Sequence, residues 1–475
     1  MSKQRVSSFL EKYDCRIGVL ALVFVMFFTH APFFLYIPVP GISMDTFQYF
    51  WFAKQIFEGA VPVIKQPVEI PWGYPFFLYI TKLLNLSIVQ IVFMQTIFFL
   101  LACSWTVSKF SKHIKYGGVI AGTALVLFIL QPHTIRHNVT LYSESLYTSA
   151  LILICGSIVT YLYSQRFNAF IFLVFSIWCA MLIRPNGILL LSIPFFFILQ
   201  TMLNGGKTLN YVLVFVSALL LDIAGNFYFK GKCSIGDSDR ITHVINNLLN
   251  RYSTKAVHKS ESKRIQTDAK MTASKTPGEM FSTYFLNFIT AKPSFYYSIE
   301  ATNYNNLVIN NMPDDTTLRM FDSRVYVDSF CTDLRLFIFK GYPHARFNSL
   351  EYSSNLDYNM HKNKWMYATH LVYELINKLK FHYIIYLMFW LTALITFYKY
   401  FINAERGAFQ QLNLLLAFIH FLSLFLLPFM HGRFQLRYIH VSEFIVFLNA
   451  VLGVYYYFPR YSFYRDPKIN LKSQG

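Results

Sequence analysis

Charged residues are scarce in this sequence. Asp, Glu, Lys and Arg make up 14% of its 475 residues, and hydrophobic residues reach 55%. Soluble globular proteins carry roughly 25% charged residues, and disordered chains or coiled coils carry more. These classes are therefore excluded, and a mean hydropathy of +0.38 favours a chain that crosses a membrane several times.

Cysteine and glycine-rich phosphate motifs are also missing. The six cysteines form no CxxC pair and no zinc spacing, which excludes a disulfide scaffold and a zinc domain. No Gly-rich phosphate loop occurs, so a nucleotide-sugar donor is disfavoured. Cys233 and Cys331 lie in the same polar segment, and the sequence leaves open whether they pair.

Aromatic and basic residues are abundant instead. Fifty Phe and 33 Tyr raise the aromatic share to 19%, and Tyr and Trp favour the membrane interface because one end is apolar and the other wet. The net charge of +18 is typical of a membrane chain whose cytoplasmic loops are basic, so no nucleic-acid partner is expected.

Apolar runs near the length of a membrane span, about 20 residues, occur ten times. They lie at 17–39, 88–108, 117–132, 145–163, 168–183, 186–204, 209–228, 380–399, 408–428 and 440–458. The first run lacks a small-residue cleavage site, so it is interpreted as an anchor. Cytoplasmic termini place most flanking Lys and Arg inside the cell. We expect an all-α integral membrane protein, a polytopic helical bundle with about ten spans plus interfacial helices.

The spacing of the runs predicts three parts. An N-terminal membrane module, 1–228, contains a first outer loop at 40–87. A polar segment, 229–379, has the length of a small extracytoplasmic loop domain. A C-terminal membrane module covers 380–475.

The first outer loop carries two helix signals. Asp45 suits a helix N-cap and Gly59 a helix end, and the aromatic residues between them recur at roughly helical spacing. An interfacial helix is expected there. After Pro71-Trp-Gly-Tyr-Pro75, residues 76–84 are too short to span but long enough for a second interfacial or re-entrant helix.

Ionisable residues near the outer ends of spans are costly to dehydrate, and they are often functional. The set on the expected outer face is Asp45, Glu58, Glu69, His133, Arg136, His137, Glu144, Arg184, Asp222, His431, Arg433, Arg437, His440 and Glu443. Carboxylates beside arginines suit a reaction that removes a proton from an acceptor and leaves a phosphate anion. Glycosyl transfer from a lipid-linked donor is such a reaction.

Four segments resemble motifs of the GT-C glycosyltransferases that use polyprenyl-phosphate sugars, above all the bacterial protein-mannosyltransferase-like and aminoarabinose-transferase-like members (family 39-like). The first outer loop resembles theirs through Asp45, the Glu-Gly helix end and Pro-Trp-Gly-Tyr-Pro-Phe-Phe-Leu. The later segments are Thr140-Leu-Tyr-Ser-Glu144, Leu182-Ile-Arg184-Pro185-Asn-Gly187 and Arg433-Phe-Gln-Leu-Arg437-Tyr438. The likeness covers about 40–200 and 425–450, and no resemblance is identified for 229–379.

The resemblance implies an inverting transfer to an extracytoplasmic acceptor, with Asp45 as general base. Arg437, with Arg433 as second choice, would contact the leaving polyprenyl phosphate. Glu144, Arg184, Tyr438 and Tyr74 are the further expected substrate-binding residues. No cofactor is expected and no metal ligand is assigned, although a divalent metal stays open. The acceptor is a saccharide, lipid or protein.

Plainer interpretations stand beside each of these residues. Asp45 suits a helix cap, and Glu58 suits a solvated surface charge. Arg184 and Arg437 suit anchors that reach the headgroups. His133 and His137 are four residues apart, but the preceding Pro132 favours a polar loop over a metal site. Asp222 is expected to bond Asn226 one helical turn later.

Two other functions remain as alternatives. A transporter or flippase of lipid-linked saccharides would also place charges in the spans, but it predicts paired half-repeats, which the sequence lacks. An oligosaccharide ligase or polymerase would use a larger donor. The expected location is a bacterial inner membrane, with both termini cytoplasmic.

Overall fold

A computed structural model describes residues 3–36, 49, 52–53, 71–230, 381–403, 407–431 and 436–457. These residues are mostly helical, and the described part of the chain contains no β-strand. The helices are α1 (Lys3–Tyr36), α2 (Gly73–Leu83), α3 (Ile88–His113), α4 (Gly117–Ile129), α5 (Pro132–Asn138), α6 (Ser143–Ser164), α7 (Phe167–Ile183), α8 (Ser192–Leu203), α9 (Leu209–Lys230), α10 (Phe381–Phe397), α11 (Ala408–His431) and α12 (Leu436–Tyr457). A 3₁₀ segment, Pro185–Leu191, precedes α8, and a π-helical turn, Tyr398–Ile402, follows α10.

Each of the ten predicted apolar runs coincides with an apolar helix. Five described helices are long and apolar enough to cross a bilayer, namely Lys12–Ala31, Ile88–His113, Ser143–Ser164, Leu209–Phe229 and Ile384–Ile402. At the other positions, α4 and α7 have 13 and 17 residues, and α11 and α12 have 24 and 22. The structure is therefore that of a helical bundle consistent with an integral membrane protein, and the count of ten spans stays a prediction.

The bundle is apolar both inside and outside. Phe99, Phe128 and Phe444 are fully enclosed in its core, and the rings of Phe128 and Phe444 lie 5.8 Å apart, so α12 packs directly on α4. Large apolar side chains such as Phe24 and Leu394 are exposed on the outer surface. A helix with apolar residues all round is typical of a membrane span, because lipid covers the outer face.

Small residues bring α1 and α4 into close contact. A Cβ atom added to Gly122 would lie 2.8 Å from the Cα of Gly18, so no larger side chain fits between the two helices. Beside this contact, the Asp14 carboxylate accepts 2.7 Å hydrogen bonds from the backbone N–H groups of Gly118 and Val119. A carboxylate at a helix N-terminus satisfies otherwise unpaired donors and favours the helix dipole.

Basic residues gather at the end of the bundle that contains Asp14. The rings of His113 and Tyr163 lie 6.0 Å apart there, which joins the last turns of α3 and α6. Described basic residues in these terminal turns and short connections are Lys12, Arg16, Lys109, Lys112, Lys115 and Arg166. We name this the basic end; its cytoplasmic orientation stays an expectation from sequence.

The opposite end, named the site end, contains the first turns of α2 and α6 and the last turn of α7. The short helix expected at 76–84 is present as α2, which begins at Gly73 and ends at Leu83. The polar loop expected around His137 is instead the short helix α5, because Pro132 suits a first helical position. Residues 231–380 lie outside the described residues, as does the proposed loop domain apart from the end of α9.

Candidate functional site

Three segments that are far apart in the sequence meet at the site end. They bring together Tyr74 from α2, Ser143 and Glu144 from the start of α6, and Arg184, which follows α7. All four residues are buried. Because α6 is almost entirely enclosed by the other helices, its first turn lies inside the bundle and not at the rim. Each segment carries one of the motifs identified in the sequence.

Pro185 explains the position of Arg184. Helix α7 ends at Ile183, and Arg184 is extended, with φ −144° and ψ 143°. A residue that precedes proline disfavours the helical region because the proline ring clashes with it. The chain therefore leaves α7 at Arg184, whose side chain is free of the helix and turns towards α6.

Arg184 and Glu144 form a buried ion pair. The Arg184 Nε also donates to the Ser143 Oγ at 3.2 Å, and the Ser143 hydroxyl lies 3.4 Å from the Glu144 Oε2. Two opposite charges in contact each offset part of the cost of removing the other from water. The pair adds a polar but formally neutral group to the site.

Two tyrosines extend this cluster towards the first outer loop. The Tyr49 hydroxyl lies 2.9 Å from the Ser143 Oγ, and the rings of Tyr49 and Tyr74 meet edge to face at 4.8 Å. The Tyr74 hydroxyl donates to the Gln95 Oε1 at 3.2 Å. The Gln95 Nε2 in turn donates to the Tyr142 carbonyl at 2.9 Å. Hydrogen bonds and one ring contact therefore join the first loop, α3 and the start of α6.

The Tyr74 hydroxyl is held in its neutral form. Burial is the main cause that raises its pKa well above the ordinary value, and the nearby Tyr49 and Glu144 act in the same direction. A neutral phenol keeps its proton. Tyr74 therefore remains a hydrogen-bond donor to Gln95 at any ordinary pH.

Glycine lets two of the motif segments touch. A Cβ atom on Gly73 would lie 2.5 Å from the carbonyl oxygen of Leu182, far inside van der Waals contact. Gly73 lies directly before Tyr74, and Leu182 lies two residues before Arg184. The small residue therefore sets the distance between the segment with Tyr74 and the segment with Arg184.

No family model and no curated protein matches this chain. Among solved structures, the chain is similar to the archaeal oligosaccharyltransferase AglB from Archaeoglobus fulgidus in complex with an inhibitory peptide and a dolichol-phosphate. The identity is 12% and the TM-score 0.43, over 94% of this chain and 50% of that chain. This chain thus spans about half the length of AglB. A likeness at this level carries no argument about the site.

The sequence-predicted site residues fall into three groups. Tyr74, Glu144 and Arg184 are described and lie in one cluster. Asp45 and Arg433 lie outside the described residues, as do Glu58, Cys233 and Cys331. For Arg437 and Tyr438 the backbone is described, in the first turn of α12, but not the side chain. Their roles stay predictions.

The first turns of α12 belong to the same end of the bundle. Helix α12 contacts α5 and α6, and α11 contacts the 3₁₀ segment that follows Arg184. Glu443, two turns into α12, is fully buried and accepts a 3.3 Å hydrogen bond from the Tyr386 hydroxyl of α10. The His420 Nδ1 of α11 lies 3.2 Å from the Ser442 Oγ. These bonds join the three C-terminal helices.

The expected Asp222–Asn226 pair is confirmed. The Asn226 Nδ2 donates to the Asp222 Oδ2 at 3.3 Å, and both side chains are buried on the otherwise exposed α9. A carboxylate shielded in this way suits a structural polar pair. Within the described ranges, no three His, Cys, Asp or Glu side chains come together as a metal site.

Sequence reasoning missed Tyr49, Gln95, Tyr142 and Ser143. Gln95 had a usable signal, because with Thr96 it interrupts the apolar run of α3 by a polar pair. Ser143 had a weaker signal as the neighbour of Glu144. Tyr49 and Tyr142 could not be distinguished from the many interfacial tyrosines of this chain.

Proposed function

We propose that this chain is a glycosyltransferase of the GT-C type, which moves a sugar from a polyprenyl-phosphate donor to an acceptor outside the cytoplasm. One observation supports it most. Three motifs that resemble the family in sequence order, with Tyr74, Glu144 and Arg184, meet in a single buried polar cluster. Motifs that arose by chance would have no reason to share one place in the bundle.

The proposed reaction is a direct displacement. The acceptor hydroxyl or amine attacks the anomeric carbon from the face opposite the phosphate, and Asp45 takes its proton. The bond between the anomeric carbon and the phosphate oxygen breaks, and polyprenyl phosphate leaves with the electron pair. The configuration at the anomeric carbon is therefore inverted. No oxidant, reductant or cofactor takes part in this balance.

Asp45 precedes Tyr49 by four residues, which is one turn of the helix expected from the sequence. Tyr49 contacts Ser143, and the next described residues, Phe52 and Ala53, are helical and buried. Residues at this spacing share one helix face. The face that packs on the cluster is thus the face on which the sequence places Asp45, which supports its assignment as the base.

Arg184 receives a revised role in this proposal. Its guanidinium already pairs with Glu144 and bonds Ser143, so its charge is compensated before any donor binds. We therefore assign the leaving phosphate to Arg437, with Arg433 as second choice. Arg184 holds the Ser143–Glu144 turn in place, and Glu144 presents its carboxylate to the sugar or the acceptor.

The donor, acceptor and location follow from the chemistry of the proposal. A prenyl tail would lie against the Phe-rich outer faces of the spans, which suits a site at the membrane boundary. The segment 229–379 would select a saccharide, lipid or protein acceptor, because loops carry specificity on a rigid scaffold. The protein would reside in a bacterial inner membrane.

The deciding experiment incubates membranes that contain the protein with a panel of polyprenyl-phosphate sugars and measures the release of free polyprenyl phosphate. We expect one donor to be consumed by the wild type. Asp45→Asn should abolish release, because an amide cannot accept the proton, while the amount of folded protein stays the same. Glu58→Gln is the matched control, since it removes the other carboxylate at the predicted helix and should retain turnover.

Two results would count against the proposal. Wild-type release by Asp45→Asn would end the assignment of the base. A wild-type protein that is folded and inert towards every polyprenyl-phosphate sugar, including in the presence of hydroxyl and amine acceptors, would end the assignment of the activity.

A further inference from the structure

A second polar network lies beside the cluster and connects α1 to α6. The His30 Nδ1 lies 2.8 Å from the Thr29 Oγ1, and the His30 Nε2 lies 3.3 Å from the Asn138 Nδ2. The Ser145 Oγ donates to the Asn138 Oδ1 at 2.8 Å. All four side chains are buried. Ser145 directly follows Glu144, so this network ends next to the candidate site.

One arrangement of protons satisfies all the bonds of this chain. In it the Thr29 hydroxyl donates its proton to the Val25 carbonyl at 2.7 Å, and its oxygen accepts from the His30 Nδ1, which lies 2.8 Å away. A neutral His30 then has a free lone pair at Nε2, which accepts from the Asn138 amide. The remaining Asn138 oxygen accepts from Ser145. In a charged His30 the Nε2 would also carry a proton, and this N–H group would meet the N–H groups of the Asn138 amide, so no hydrogen bond could form.

The network joins two segments that the proposed reaction needs together. His30 lies near the end of α1, six residues before the last described residue ahead of the first outer loop. Asn138 ends α5 and its carbonyl accepts a 3.0 Å bond from Thr96 of α3. Ser145 belongs to the first turn of α6, which presents Ser143 and Glu144. These bonds therefore connect the C-terminal end of α1 to the first turn of α6, where Glu144 lies.

We infer that neutral His30 is a positioning residue for the candidate site. Through its bond to Asn138 it holds the 139–145 segment, and with it Glu144, against the C-terminal end of α1. The inference rests on the proposed function for its consequence in catalysis. The bond to Asn138 is the functional one, and the bond to Thr29 only orients the ring.

Two substitutions separate these bonds. The oxygen of a Gln side chain lies as many bonds from the backbone as the His Nε2, so His30→Gln can still accept from Asn138 but loses Thr29. The amide nitrogen of Asn corresponds to Nδ1, so His30→Asn can still donate to Thr29 but loses Asn138. Both variants are uncharged and polar, which makes each the control for the other.

The first measurement is amide hydrogen exchange of the 139–146 segment, in the full-length protein in detergent micelles. His30→Asn should speed exchange there by about three- to tenfold, the effect of losing one buried hydrogen bond, while His30→Gln stays near the wild type. Ser145→Ala breaks the network from its other end and should also speed exchange. Ser157→Ala is the control on the same helix. It removes only the hydrogen bond from the Ser157 hydroxyl to the Leu153 carbonyl one turn earlier, so the exchange rate of the segment should not change.

Equal exchange in His30→Asn and His30→Gln would overturn the inference. If His30→Asn does not fold, the comparison of Ser145→Ala with Ser157→Ala decides, and equal protection in those two would overturn it as well. In the polyprenyl phosphate release assay, His30→Asn should lower kcat with little change in KM, and His30→Gln should restore it. An inert wild type would refute the proposed function but leave the exchange result standing.

Discussion

Arg184 and Glu144 form an ion pair that bridges the end of α7 and the start of α6, with both side chains almost completely removed from solvent. The two residues are 40 positions apart by their numbers in the sequence. Such a pair adds less to stability than replacement by well-packed apolar residues would, but it is costly to break. Its position at the meeting point of three motif segments therefore favours a role in function.

Glu144→Gln should destabilise the protein, because it leaves the Arg184 charge buried without compensation. Removing one member of a buried pair typically costs about 3–5 kcal/mol. Thermal unfolding in detergent micelles should show a lower midpoint than the wild type. The double variant Glu144→Leu/Arg184→Met should recover much of that stability while it remains inactive in sugar transfer. A double variant less stable than Glu144→Gln would contradict this account of the pair.

Tyr74→Phe should remove one hydrogen bond without changing the ring contacts. The Gln95 oxygen then stays buried without this donor, which costs about 1–3 kcal/mol. The measurement is the denaturation midpoint, with Tyr228→Phe as control because that tyrosine is 82% exposed. Since the Tyr74 pKa lies well above its ordinary value, the difference between the two variants should not change between neutral and mildly alkaline pH. A difference that disappears in that range would show an ionised phenol.

Gly73→Ala should force apart the segments that carry Tyr74 and Arg184, since the added carbon would meet the Leu182 carbonyl. Overpacking of this kind costs about 1–3 kcal/mol. Gly407→Ala is the control, because its added carbon would meet only the flexible end of the Gln410 side chain. Equal midpoints for the two variants in thermal unfolding would mean that the close approach of Gly73 to Leu182 does not constrain the site.

Arg437→Lys should slow polyprenyl phosphate release if the guanidinium holds the leaving phosphate. A lysine keeps the charge but loses the two-pronged contact, so we expect a fall of roughly 10- to 100-fold, the value of one charge-assisted hydrogen bond. Arg166→Lys, at the basic end, makes the same exchange away from the site and should retain the rate. An unchanged rate in Arg437→Lys would contradict this assignment and leave Arg433 as the residue that contacts the phosphate.

The sequence predicts the helices well because hydropathy depends on local composition. Each apolar run has to satisfy its backbone hydrogen bonds internally, and helix formation does this without any partner. The Asp222–Asn226 bond was predictable for the same reason, since both residues lie on one helix one turn apart. The short helix α2 also needed only its own residues, between the Pro-rich motif and the next span.

Long-range contacts were not predictable in this way. The bond between Asp14 and Gly118 spans 104 residues, and the bond between Tyr49 and Ser143 spans 94. Both depend on how the helices pack, which hydropathy does not encode. Motif order indicated that Glu144 and Arg184 share a side of the membrane, but their direct pairing, which compensates the charge of Arg184, required the tertiary structure.

The capping of α4 by Asp14 has a mechanical consequence. Helix α1 is bonded to α4 through the Asp14 carboxylate and to α5 through His30 near its C-terminal end, and Gly18 packs against α4 in between. A sliding displacement of one helical turn, about 5.4 Å, would break all three contacts at once. These three contacts therefore oppose any sliding of α1 along its axis relative to α4 and α5.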